Sequence, residues 1–128
     1  MQRLLCLLLP AILLVSCSAP SRSWEEVLPS QAGAWKRSQI TDLPAAGAPE
    51  MVRQLGLKRA ATVTYASSGT AQVRVFEMNV ATSAFELIQK WRQQDGLAVY
   101  SGPYFAIAGK NAGPEAAALL AELSKQLK

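Results

Sequence analysis

No histidine occurs among the 128 residues. Imidazole is the commonest general base near neutral pH, so its absence removes histidine-based catalytic triads and most zinc and copper sites. Cysteine is almost as scarce. The two that exist, Cys6 and Cys17, both precede residue 18. From Ser18 onward there is no thiol for nucleophilic catalysis, for a thiolate metal site or for an internal disulfide. Neither a G-x-G-x-x-G nor a G-x-x-x-x-G-K-[ST] loop is present to cradle phosphates, and the G-x-S-x-G nucleophile elbow is missing too. Acidic residues number only nine. The adjacent pair Glu25-Glu26 sits in a Ser-, Ala- and Pro-rich stretch where carboxylates are solvated, and Glu77 interrupts an apolar strand face where a cross-strand Lys or Arg is the expected partner. No catalytic, cofactor-binding or metal-binding residue is therefore nominated, and the expectation is a protein that is not an enzyme.

A hydrophobic run long enough to cross a membrane is also lacking. The longest stretch, Leu4 to Val15, has twelve residues and seven leucines, broken only by Pro10. A permanent membrane helix needs about 20 apolar residues. With Arg3 in front of it, this run instead has the charged and apolar regions of an export signal. It ends in Leu14-Val15-Ser16-Cys17, which resembles the lipobox of bacterial lipoprotein precursors.

What that resemblance implies is specific. A peptidase cuts between Ser16 and Cys17, the Cys17 thiol takes a diacylglycerol, and the new amine is acylated with a chain of the palmitate kind. Residues 1 to 16 are then a signal peptide and Cys17 is the first residue of the mature chain. One acyl chain holds only reversibly at about 0.8 kcal/mol per buried methylene, whereas two or three hold stably. The expected location is the cell membrane or outer membrane, facing the periplasm in a two-membrane cell. Ser18, in place of an aspartate, favours the outer membrane there. Ordinary secretory cleavage after Ser18 is the alternative, since Ser16 and Ser18 are both small.

Charge is mildly positive. Thirteen basic and nine acidic residues give +4, and loss of Arg3 with the signal leaves +3. The basic residues are scattered, with only Lys36-Arg37 and Lys58-Arg59 adjacent. Nucleic-acid readers concentrate their charge on one face or in one run, so no nucleic-acid partner is expected.

Residues 17 to 34 read as a lipid-anchored flexible tether, in which Trp24 and Leu28 lie four apart and suit a short helical turn that docks on the domain or on the bilayer. Residues 35 to 128 read as one α+β domain. A short strand is suggested at Trp35 to Ile40. Pro49 then opens a helix whose stripe is Met51, Val52 and Leu55 and which stops at Gly56. Arg59 to Ala66 and Gln72 to Val80 alternate around Ser67-Ser68-Gly69-Thr70 and predict a β-hairpin. Ser83-Ala84-Phe85-Glu86 fits a capping box, followed by a helix with Ala84, Leu87, Ile88 and Trp91 on one face and Asp95-Gly96 as its stop. Leu97 to Ser101 and Tyr104 to Ala108 predict a second hairpin. Pro114 opens the last helix, with the stripe Ala116, Leu119, Leu120, Leu123 and Leu127.

The order (β)-α-ββ-α-ββ-α predicts an antiparallel sheet of two hairpins, extended by the N-terminal strand, with the helices packed on one face. From Trp35 onward the layout resembles a domain of unknown function found in small exported bacterial proteins. The similarity lies in Trp35, in the helix that runs from Glu50 into Gly56 ahead of Ala60 to Tyr65, in the pair Ala84-Phe85, and in Gly102 to Phe105. It implies a fold and no activity. Tyr100 and Tyr104, at the two ends of the Ser101-Gly102-Pro103 turn, are the candidate ligand or partner surface.

These readings converge on an expected function: a non-enzymatic, membrane-anchored envelope domain that binds an envelope protein or a small apolar ligand. The alternatives are an envelope enzyme using carboxylate or tyrosine chemistry and a structural subunit of an envelope assembly.

Overall fold

The computed structural model describes residues 22–91, 97–109 and 113–127. The lipobox, Cys17 and the Asp95-Gly96 stop lie outside the described residues. The elements in chain order are α1 (Trp24–Val27), β1 (Gln31–Ala32), β2 (Trp35–Leu43), a 3₁₀ turn (Ala45–Gly47), α2 (Glu50–Gln54), β3 (Leu57–Ala66), β4 (Thr70–Met78), α3 (Ala81–Trp91), β5 (Leu97–Ser101), β6 (Tyr104–Ala108) and α4 (Gly113–Gln126). The chain is α+β. Its six strands form one antiparallel sheet in the order β1-β2-β3-β4-β6-β5.

Alternation along β3 and β4 assigns the two faces of this sheet. Ala61, Val63 and Tyr65 on β3 and Val73 and Val75 on β4 point to one face, joined by Tyr104, Ala106 and Ala108 of β6. α1 and α4 cover that face with Trp24, Val27, Leu28, Leu119, Leu120, Leu123 and Leu127, all buried. The sheet curls so that α4 touches both outermost strands, β5 and β1. On the opposite face Ala60, Phe76, Met78, Phe105 and Ile107 pack against Val52 of α2 and Ala84, Leu87, Ile88 and Trp91 of α3. Phe105 is the hub of that second cluster, 6.3 Å from Phe76 and 5.6 Å from Trp91 between ring centroids.

The helices therefore lie on both faces of the sheet, and the expectation of a single covered face is corrected. Connectivity explains the split. β6, not β5, pairs with β4, so α3 crosses one face of β6 on its way to the edge strand β5, and α4 returns across the other face. The second hairpin is joined to the first through its last strand, β6.

The N-terminal boundary moves as well. Residues 24 to 32 were expected within the tether, yet Trp24, Val27, Leu28 and Ala32 are buried in the first core and β1 adds an outer strand. Spacing of i, i+3 and i+4 puts Trp24, Val27 and Leu28 on one side of a single helical turn, which docks on the sheet. Smaller differences follow from local chemistry. β2 continues through a bulge at Arg37 to Gln39 as far as Leu43. β4 ends at Met78, leaving Val80 exposed. α3 already begins at Ala81, so Ser83 lies inside the helix and is buried rather than standing at its cap. Gly56 closes α2 with φ +98°, a backbone conformation that side chains with a Cβ rarely adopt.

Candidate functional site

Three side chains of the sheet fasten the N-terminal segment to it. The Arg37 guanidinium on β2 donates from one nitrogen to the carbonyls of Leu28 (2.7 Å) and Glu25 (3.2 Å), which are end groups that a helix this short cannot satisfy internally. The Tyr65 hydroxyl, on a completely buried side chain of β3, donates to the Pro29 carbonyl at 2.8 Å. Burial pushes the Tyr65 phenol up to about 12, with the nearby Arg37 charge pulling weakly the other way. At the other end of α1, the Arg59 guanidinium lies 4.1 Å above the Trp24 ring, within cation–π range.

Arg59 belongs to the one buried charge cluster among the described residues. Glu77 on β4 stands directly opposite it in the antiparallel register and is 7 % exposed. Arg59 Nε donates to Glu77 Oε1 at 2.6 Å, and Lys58 Nζ lies 3.4 Å from Glu77 Oε2. A register shift between Leu57 and Arg59 lets two successive cations reach the same carboxylate. Tyr104, the register partner of Glu77 on β6, tilts against Trp24 with ring centroids 6.4 Å apart. The cross-strand partner expected for Glu77 is thus Arg59.

A cleft of about 390 Å³ opens beside this cluster, between Asp42, Leu43 and Ala45 on one side and Leu57 to Ala60 on the other. Its chemistry is limited by what the charges already do. Glu77 is held between two cations, with one oxygen on Arg59 and the other facing Lys58. Asp42 is the one carboxylate that lines the cleft. General acid and base catalysis by paired carboxylates needs two of them across a substrate. No group of three or more Asp or Glu side chains among the described residues is close enough to hold a metal ion.

Tyr100 and Tyr104 do not share a surface, and the candidate made of both is corrected. Tyr104 pairs with Ser101 and Tyr100 with Phe105, so a two-residue turn separates the strands and the tyrosines fall on opposite faces. Gly102 supplies the positive φ, +54°, that such a tight hairpin needs at its first loop position. Tyr104 is buried under Trp24, whereas Tyr100 is 40 % exposed. Its neighbour is Phe85 of α3, 47 % exposed, with the rings edge to face at 5.8 Å. Sequence reasoning missed Phe85 as a surface residue by absorbing it into the capping box. The available signal was its place off the stripe formed by Ala84, Leu87, Ile88 and Trp91. Cys17 and Ser16 lie outside the described residues.

Compared with known proteins, the chain matches no family model, no curated protein and no solved structure.

Proposed function

We propose that the chain is the precursor of an exported bacterial lipoprotein, cut between Ser16 and Cys17 and held at the membrane by lipid on Cys17, whose domain acts as a non-enzymatic binding module in the cell envelope. The observation that carries the proposal is the position of Leu14-Val15-Ser16-Cys17 at the end of a twelve-residue apolar run behind Arg3. The packing of the N-terminal segment adds a geometric consequence. Because Trp24 is core, only residues 18 to 23 separate Cys17 from α1. Fully extended, that chain spans at most about 25 Å, so the domain rides close to the bilayer rather than on a long leash. Arg37, Tyr65 and Arg59 then fasten the segment through which the anchor is attached.

The charge cluster supports a binding role over a catalytic one. The buried carboxylate is paired with Arg59 and Lys58, and Phe85 and Tyr100 form an exposed aromatic pair. An envelope protein or a small apolar ligand is the partner this surface suits.

Fractionation of cells expressing the Cys17→Ala variant tests the anchor. The parent chain is expected in the membrane fraction, extractable by detergent and not by salt, and the variant is expected to lose that behaviour. A Cys17→Ala chain that stays in the membrane fraction with the same extraction profile would sink the proposal.

A further inference from the structure

The two edges of the sheet are built differently. On one side β2 carries Lys36, Arg37 and Asp42, the short strand β1 covers its first residues, and Pro44 follows its end. Charges, short edge strands and proline are the usual means by which proteins keep a sheet edge from recruiting another strand. On the other side β5 reads Leu97-Ala98-Val99-Tyr100-Ser101, with no charge, no proline and no glycine. Its inner edge pairs with β6, and among the described residues no strand pairs with its outer edge. Alternate backbone donors and acceptors of β5 therefore face outward without a partner strand. Large apolar side chains stand beside them on both faces of the sheet. Leu97 is 41 % exposed, Tyr100 40 % and Phe85, against Tyr100, 47 %.

From this edge we infer that β5 pairs antiparallel with β5 of a second copy of the chain, about a twofold axis at Val99. The five residues are self-complementary. In that register Val99 meets its own copy, Tyr100 lies opposite Ala98, and Leu97 lies opposite Ser101. Each large exposed side chain faces a small one, and no like charges meet, which is the arrangement that cross-strand packing favours. A twofold contact requires the same patch to fit itself, and an uncharged strand with this large and small pattern does so. Pairing joins the two sheets into one, covers Leu97 of both copies and sets their Phe85–Tyr100 pairs on one continuous face. This inference stands on the sheet edge alone and does not depend on lipidation.

Opposed residues on antiparallel strands have Cα atoms about 4.5 or 5.5 Å apart, and either distance suits a disulfide. The test is oxidative crosslinking of the full chain in intact cells, read on a non-reducing gel. Val99→Cys is expected to give a dimer that neither the parent, carrying Cys6 and Cys17, nor Gln39→Cys on the opposite edge gives. Two further variants check the register by sedimentation of the purified protein. Ala98→Lys with Tyr100→Lys places like charges opposite one another and should yield monomer. Ala98→Lys with Tyr100→Glu places opposite charges there and should retain the dimer. A folded Val99→Cys chain that crosslinks no better than the parent, or no better than Gln39→Cys, overturns the inference. So does identical sedimentation of the two charge variants, whichever state they share; this last result decides the matter if Val99→Cys fails to fold.

Discussion

The first 21 residues and the described domain that follows encode information at different ranges along the chain. The features that suggest export and lipidation are local: one arginine, an apolar run and four residues ending in Cys17. Nothing farther along the chain is needed to read them. The domain is the reverse. Its fold depends on pairings such as Arg59 with Glu77 and on α4 meeting both β1 and β5, contacts between residues far apart in sequence. One region is read from a short string of residues, and the other from packing around a buried carboxylate that is already paired. Changes in one region should therefore leave the behaviour of the other intact.

The largest stability effect is expected at the centre of the face covered by α4. Leu123 is fully buried, and Leu123→Ala removes its contacts and leaves a cavity, at a cost of about 3 kcal/mol. Urea denaturation should show the midpoint falling without a change in slope, while the proposed processing at Cys17 goes on as before. Loss of processing together with stability would mean that the two regions are not independent.

A somewhat smaller effect is expected from Glu77→Leu, which strands Arg59 beside Trp24. Breaking a buried pair costs roughly 3–5 kcal/mol, and the part exposure of Arg59 and Lys58 reduces this to about 2–3 kcal/mol. Adding Arg59→Met should restore most of the loss, because a flexible thioether can take the place of the guanidinium on the Trp24 ring. If the double variant is less stable than Glu77→Leu alone, the cluster holds the fold by more than charge pairing.

The smallest effect concerns Tyr65. Tyr65→Phe leaves the Pro29 carbonyl without its donor and should cost about 1–2 kcal/mol near neutral pH. The phenol keeps its proton in the fold up to about 12, against 10 in the unfolded chain. Below pH 10 its contribution is complete, and it is lost as pH rises from 10 towards 12, where the unfolded chain releases the proton first. Denaturation midpoints followed over that window should therefore fall more steeply for the parent than for Tyr65→Phe. Parallel curves would show that Tyr65 is not the group that resists ionisation.

Much of the local structure was legible before the fold was known. The alternation of Ala61, Val63 and Tyr65, the turn at residues 67 to 70 and the stripe from Ala116 to Leu127 all reappear where the sequence places them. What was not legible was which side of the sheet each helix covers, since an apolar stripe shows that a helix face is buried and not against what. One signal did bear on it. Tyr104 to Ala108 contains no polar residue, and a continuous apolar strand is the mark of burial on both faces; all five of its residues are indeed buried. The tether was read too long because its composition outweighed the spacing of Trp24, Val27 and Leu28, whose partners Arg37, Arg59 and Tyr65 lie far along the chain. The aromatic surface was half found. Tyr100 is exposed, but only the register of β5 with β6 reveals that Tyr104 faces inward and that Phe85 is the neighbour Tyr100 meets.

The mass of the mature N-terminus decides whether the proposed anchor is present. Protein extracted from membranes and digested with trypsin should yield an N-terminal peptide that begins at Cys17, ends at Arg22 and carries the added mass of a diacylglycerol, with or without a further acyl chain. An unmodified peptide beginning at Cys17, or a mature chain that starts at Ala19, would contradict it.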